Sequence, residues 1–209
     1  MDGKEHWESV YRNKQPTEVS WYQARAELSA QIIKLVVRDH AAPIIDVGGG
    51  ASVLTSELYA AGYTDLTVLD LAGAALAAAR STLGPNAPRV HWIEADILTA
   101  DLPPACYEFW HDRAVFHFLT DAAARSAYVR QACHAVRPGG HVLIATFAED
   151  GPTRCSGLDV VRYSPAALAA ELGSGLAFVA SRREAHQTPS GAVQSFSYSV
   201  FRRVLADSC

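Results

Sequence analysis

Residues 43–52, Pro-Ile-Ile-Asp-Val-Gly-Gly-Gly-Ala-Ser, carry a β-branched apolar run into an acid and three consecutive glycines. Such a run reads as a buried strand that brings the Asp46 carboxylate to a sheet edge. The glycines at 48–50 then let backbone pass close to a ligand. A second apolar run, Leu66-Thr-Val-Leu-Asp70, ends in another carboxylate. It lies about twenty residues on, where open α/β sheets commonly hold a ribose.

The rest of the chain repeats this alternation. Strands are expected at 44–47, 66–70, 89–94 and 106–111, with helices at 52–62, 72–83 and 120–136 between or after them. A fifth strand, 141–147, follows the turn Arg137-Pro-Gly-Gly140. Strands separated by helices must run parallel, because each crossover returns the chain to the same end of the sheet. After a Gly/Pro/Ser-rich loop at 149–162 containing Cys155, Ser164-Pro165 opens another helix. Alternating segments at 176–185 and 193–204 flank Thr188-Pro-Ser-Gly191 as an antiparallel hairpin. The expected fold is α/β, a doubly wound, seven-stranded, mostly parallel sheet with a C-terminal antiparallel hairpin.

Ahead of the sheet, Trp7 and Tyr11 are spaced i to i+4 and share one side of a short helix. Ser20 and Gln23 form a capping-box pattern for a second helix whose apolar face, Leu28, Ile32, Leu35 and Val36, runs to about Asp39. This divides the chain into a helical cover, 1–40, and a ligand-binding domain, 41–209.

Composition excludes several classes. The 18 basic residues are scattered, the densest groups being Arg182-Arg183 and Arg202-Arg203, and the net charge is −4. No basic patch invites a phosphate backbone, so nucleic acid is not an expected partner. Cys106, Cys133, Cys155 and Cys209 lack metal-ligand spacing, so reduced thiols and no metal are expected. Met1-Asp-Gly-Lys-Glu-His-Trp7 lacks the apolar core of a signal peptide. No stretch reaches the roughly twenty apolar residues of a membrane span, so the cytoplasm is the expected location and a membrane is not an expected partner.

The order Asp-x-Gly-x-Gly after strand one, an acid after strand two and a closing hairpin resembles the class I S-adenosylmethionine-dependent methyltransferases. Their first motif is Asp/Glu-x-Gly-x-Gly-x-Gly; here it reads Asp46-Val-Gly48-Gly-Gly50-Ala-Ser52, with Ser52 for the last glycine. Serine can cap the following helix, so the exchange is tolerable. The resemblance implies S-adenosyl-L-methionine as cofactor. It places Asp46, Gly48, Gly50, Asp70, Leu71 and Trp21 around it, with Asp70 on both ribose hydroxyls. In Glu94-Ala-Asp96-Ile97, Asp96 corresponds to the acid at the adenine amino group and Ile97 to the apolar residue beside the ring. Phe109-Trp-His-Asp-Arg-Ala-Val-Phe-His117 falls beneath the methionine moiety, so His111 joins the cofactor set.

The aromatic start, His6-Trp7-Glu-Ser-Val-Tyr11 and Val19-Ser-Trp21-Tyr22, resembles the N-terminal covers of thiopurine- and tellurite-type and some protein-lysine methyltransferases. Trp7, Tyr11 and Tyr22 are thereby expected acceptor contacts, as is Cys155 from the loop that carries it; the plainer alternative is that the aromatics staple the extension to the core. Strand four lacks Asn/Asp-Pro-Pro-Tyr/Phe, which disfavours nucleic-acid and glutamine amides as acceptors. His111, Asp112 and His117 are the candidate bases. Each has a plainer alternative: backbone contact for His111, a local Asp112-Arg113 ion pair, a core imidazole for His117. The implied function is methyl transfer to a small-molecule nucleophile through S, Se, N or O, with protein lysine as the alternative acceptor. A nicotinamide oxidoreductase would need a third glycine where Val53 stands, and a non-catalytic cofactor-binding module is the remaining rival.

Overall fold

A computed structural model describes residues 3–204. Met1, Asp2 and Cys209, which figure in the expectations above, lie outside them. The order of elements is α1 (Gly3–Asn13), α2 (Glu27–Val36), β1 (Ile44–Val47), α3 (Leu54–Ala60), β2 (Leu66–Asp70), α4 (Gly73–Leu83) and β3 (His91–Glu94). It continues with β4 (Tyr107–Arg113), α5 (Ala122–Ala135), β5 (Val136–Phe147), β6 (Arg154–Cys155), β7 (Leu158–Asp159), α6 (Pro165–Leu172), β8 (Leu176–Gln187) and β9 (Val193–Arg203).

Seven strands form one sheet in the order β3-β2-β1-β4-β5-β9-β8, and β6 pairs with β7 apart from it. β1 to β5 pair in parallel, whereas β9 runs antiparallel to both β5 and β8. The winding reverses between β1 and β4. A crevice therefore opens beyond the C-terminal ends of these strands, the position where doubly wound sheets take ligands.

Parallel strands covered on both faces bury every side chain, as β1 and β2 do throughout. Alternation then assigns residues to layers. Ile44 packs with Phe109, Ile33 and Leu54 on one face; Ile45 and Val47 pack with Trp110, Tyr128 and Leu168 on the other. The same period of two sends Asp46, His111 and Arg113 toward the first layer and Asp112 toward the second.

Helix α2 starts at Glu27 rather than near Ser20, and no side chain caps it. Tertiary partners hold the preceding segment out of a helix. The Ser20 carbonyl lies 2.8 Å from His186 Nε2, the Trp21 carbonyl accepts from Arg113 Nη1, and the Gln23 amide donates to Glu184. The capping-box expectation fails because both of its residues are engaged in these contacts. A second departure is the small β6–β7 hairpin inside the 149–162 loop. Its turn residues Ser156 and Gly157 have φ of 51° and 80°, the left-handed pair that two-residue hairpins favour.

Helix α1 contributes no fully buried residue and is held by polar contacts. Lys4 pairs with Glu94 at 2.7 Å, and Glu8 accepts the Gly73 N–H at 2.7 Å, placing an anion at the N-terminus of α4. These ties fix α1 beside Asp70. Among the described residues no helix is long and apolar enough to cross a membrane, and no cluster of side chains could hold a metal ion.

Candidate active site

The crevice contains two adjoining cavities that share Tyr11, Trp21, Gly48 and Arg113 as walls. The larger, about 290 Å³, lies over the ends of β1, β2 and β4 and the loop after β3. The smaller, about 50 Å³, lies beside the glycine turn and is bounded by Asp46, His111 and Ser29.

Asp70 closes one end of the larger cavity. Its Oδ1 accepts the Ala72 N–H at 2.8 Å and its Oδ2 the Gly50 N–H at 3.0 Å. A carboxylate has about four acceptor positions, so both oxygens retain one for hydroxyls. Burial raises its pKa to about 6, against the lowering effect of those two N–H donors. Gly50 lies behind this acid: a Cβ there would meet Asp70 Oδ2 at 2.6 Å and collide with Ala75. Gly49 leaves room for Asp46 in the same way. Gly48 has φ of +67°, and a side chain there would run into Val115. Ser52 Oγ accepts the Leu54 N–H at 3.0 Å, so the residue in place of the motif's last glycine anchors the start of α3.

In the smaller cavity, His111 Nδ1 lies 2.6 Å from Asp46 Oδ1 and its Nε2 lies 2.8 Å from Ser29 Oγ, all three residues being buried. Asp46 Oδ2 is buried without a hydrogen-bond partner. An unpaired buried carboxylate oxygen is costly and marks a place for a donor.

A nucleoside with an amino-acid tail fits this arrangement. Asp70 offers acceptors for a ribose, Leu71 and Ile97 offer apolar walls for a base with Asp96 beside them, and the orphaned Asp46 oxygen offers a partner for an ammonium.

The aromatic cover closes the other end. Trp7 packs edge-to-face on Trp21 and Phe118 with ring centroids 5.6 and 5.0 Å apart, and Trp21 Nε1 donates to the Tyr11 hydroxyl at 3.3 Å. The Tyr11 hydroxyl is pushed up by burial, then by the Asp70 charge. Cys155 and Leu158 of the β6–β7 hairpin complete the wall. Burial raises the Cys155 thiol, which lies 3.9 Å from Ser20 Oγ. Tyr22 borders the smaller cavity instead.

Three expected site residues line neither cavity: Gly50, which lies behind Asp70, and Asp112 and His117. Asp112 is wholly buried on the α5 face, where its oxygens accept from Val115 N, Phe116 N and the Tyr128 hydroxyl. Burial pushes its pKa to about 6 despite the Tyr128 hydrogen bond. His117 sits among Phe118, Phe147 and Phe196, with Nδ1 accepting the Phe147 N–H at 3.3 Å. Burial, reinforced by the Arg113 charge, lowers its pKa to about 3, so the ring is neutral. Ser29, Phe118 and Leu158 border the cavities without having stood out in the sequence, and Arg113 and Val115 border them although sequence reasoning assigned neither a site role of its own. Arg113 was the most accessible to reasoning, since it shares a strand face with His111.

A family model described as "Methyltransferase domain" matches residues 44–140. That span holds β1 to β4 and both motif acids. Over these residues the chain resembles a methyltransferase domain, and its seven-stranded sheet has the class I S-adenosylmethionine-dependent methyltransferase fold. Among relatives, an uncharacterized methyltransferase of Mycobacterium tuberculosis is 34% identical over 104 residues, half of each chain. The mouse eEF1A lysine and N-terminal methyltransferase is 23% identical over 118 residues, 56% of this chain and 17% of that one. The chain thus spans half or less of the length of these curated relatives. A solved structure of the Burkholderia thailandensis 1,6-didemethyltoxoflavin-N1-methyltransferase, with 1,6-didemethyltoxoflavin and S-adenosylhomocysteine bound, has the same fold. Its TM-score is 0.69 at 18% identity, covering 97% of this chain and 84% of that one.

Proposed function

We propose that this chain transfers a methyl group from S-adenosylmethionine to a small-molecule acceptor. The observation that carries the reading is the construction of the larger cavity: a ribose-type acid at one end, and at the other an apolar chamber roofed by Trp7 of α1 and by Cys155 and Leu158. Its volume is of small-molecule scale. The Burkholderia neighbour, alike in fold along nearly the whole chain, is a 1,6-didemethyltoxoflavin-N1-methyltransferase.

When bound, the cofactor supplies a methyl carbon already activated by a sulfonium. The chain's own work is then alignment and exclusion of water. Asp70 orients the ribose, and Asp46, held by His111, whose other nitrogen meets Ser29, orients the amino-acid end. Trp7, Trp21 and Phe118 shield the reacting centre, and aromatic faces favour a nearby cation by about 0.5–2 kcal/mol. Asp112 and His117 support this site from the core. The free thiols Cys106, Cys133 and Cys155 suit a reducing, cytoplasmic setting, which is part of the proposal.

Protein lysine is the second reading, favoured by the similarity to the mouse lysine methyltransferase. Calorimetry should show S-adenosylhomocysteine binding and no NADH binding; the reverse would overturn the proposal. Incubating the chain with methyl-labelled cofactor and a cell extract should place label in the small-molecule fraction. A discrete labelled protein band would transfer the assignment to the lysine reading.

A further inference from the structure

Arg113 is the one permanently charged cation bordering either cavity among the described residues. It ends β4, between the aromatic cover and β9. Its Nε donates to the Tyr198 hydroxyl at 2.8 Å and its Nη1 to the Trp21 carbonyl at 2.9 Å. The guanidinium carbon lies 4.4 Å from the centre of the Phe196 ring. These three contacts fix the plane. The third nitrogen, Nη2, is buried and makes no hydrogen bond; its nearest carboxylate is Glu184 Oε2 at 3.5 Å. Glu184 is itself divided, with Oε2 accepting from Tyr198 and Oε1 from Gln23. The guanidinium is therefore rigid and desolvated, with both N–H groups of Nη2 outside any hydrogen bond and Glu184 as its ion-pair partner.

The larger of the two cavities it borders lacks a free base, and in the smaller one Asp46 and His111 are tied to each other. Beyond the nucleoside acids Asp70 and Asp96, the ionisable side chains on the larger cavity are Tyr11, Cys155 and Arg113. The first two are held in their protonated forms by burial. An acceptor that must lose a proton has no side chain there to take it.

We infer that Arg113 selects an acceptor that reacts as an anion, a thiolate, phenolate or enolate, by setting its fixed positive charge in the wall that both cavities share. The inference rests on the methyltransferase reading. The acceptor's proton leaves to water before transfer. The anion then forms its bond to the methyl carbon as the carbon–sulfonium bond breaks, the electron pair returning to that sulfur, so no proton moves in the step. A cation within about 4–6 Å lowers an acid's pKa by about 1–3 units, so Arg113 performs the task for which a base is missing. The other titratable groups around the guanidinium are Glu184, His186, Tyr198, His117 and Cys155.

The test uses benzyl mercaptan and benzylamine as probes with the full chain. Wild type should methylate the thiol in preference to the amine. Its pH–rate midpoint should lie about 1–3 units below the pKa of the free thiol. Arg113→Met should return that midpoint to the free value, Arg113→Lys should retain most of the shift, and both should bind S-adenosylhomocysteine within threefold of wild type. That binding also reports that the variants are folded. An unmoved midpoint in Arg113→Met, no turnover of the thiol by wild type, or preference for the amine would overturn the inference. So would a tenfold loss of S-adenosylhomocysteine affinity in Arg113→Met, which would assign the guanidinium to the cofactor's carboxylate. Failure of wild type to bind S-adenosylhomocysteine would remove the methyltransferase reading itself, a separate result.

Discussion

Asp112 and Tyr128 offer a decisive separation of scaffold from catalysis. The Tyr128 hydroxyl donates to Asp112 Oδ2 at 2.5 Å and accepts from Trp110 Nε1 at 2.8 Å, and all three side chains are fully buried. Tyr128→Phe keeps the ring and its edge-to-face contacts with Trp110 and Phe116 but removes both hydrogen bonds. A lost bond to a charged group costs about 1.5–3 kcal/mol, and a buried indole N–H left unsatisfied about 1–3 kcal/mol. The expected destabilisation is about 3–5 kcal/mol, measured as the shift in urea midpoint at unchanged m-value. In a chain of this length each kcal/mol corresponds to about 2–4 °C, so melting should fall by roughly 6–20 °C. Affinity for S-adenosylhomocysteine at a temperature where the variant is folded should stay within threefold, because neither residue borders a cavity. Destabilisation below about 1 kcal/mol, or selective loss of turnover in a variant of normal stability, would refute the scaffold assignment and restore Asp112 as a catalytic candidate.

Other outcomes follow from the same geometry. Asp70 must be ionised to accept from hydroxyls, and burial has raised its pKa to about 6. S-adenosylhomocysteine affinity measured by calorimetry should therefore weaken as pH falls below about 6, and Asp70→Asn should abolish that dependence along with most of the affinity. His117 has its pKa lowered to about 3, so between pH 6.5 and 3 the unfolded chain binds the extra proton and wild type loses stability as pH falls. Asp70 and Asp112, with raised values, act in the opposite sense between about pH 4 and 6. Comparison with His117→Phe isolates the histidine: the variant should gain on wild type by up to about 3 kcal/mol between pH 7 and pH 4. Parallel stability curves would exclude the buried neutral imidazole. Gly48→Ala combines a left-handed φ with a collision against Val115, so it should lower both melting temperature and cofactor affinity; an unchanged protein would show that the turn can relax.

The parts of this molecule that were legible in its sequence are those governed by a short-range rule. Short apolar runs leading to acids located β1 and β2 to the residue, and Thr188-Pro-Ser-Gly191 located the hairpin between β8 and β9. The α2 start was misread because Ser20 and Gln23 obey a local capping pattern that contacts with His186 and Glu184, more than 160 residues away in the chain, override. Asp112 and Arg113 expose the limit more sharply. They are neighbours in sequence, yet strand alternation sends one into the α5 layer and the other to the cavity wall, and only the register with β1 says which face is which.

The glycine triplet carries the same lesson about cause. Its sequence suggested backbone making way for a ligand; in the fold, Gly49 and Gly50 make way for Asp46 and Asp70, and Gly48 for Val115. Alanine at 49 or 50 would thus act on the cofactor indirectly, by displacing a carboxylate that must meet it. That distinguishes two accounts of the motif. If the glycines served ligand clearance alone, Gly50→Ala would weaken S-adenosylhomocysteine and leave the ligand-free protein as stable as wild type. Because its Cβ collides with Ala75 and crowds Asp70 inside the protein itself, the ligand-free variant should already melt lower.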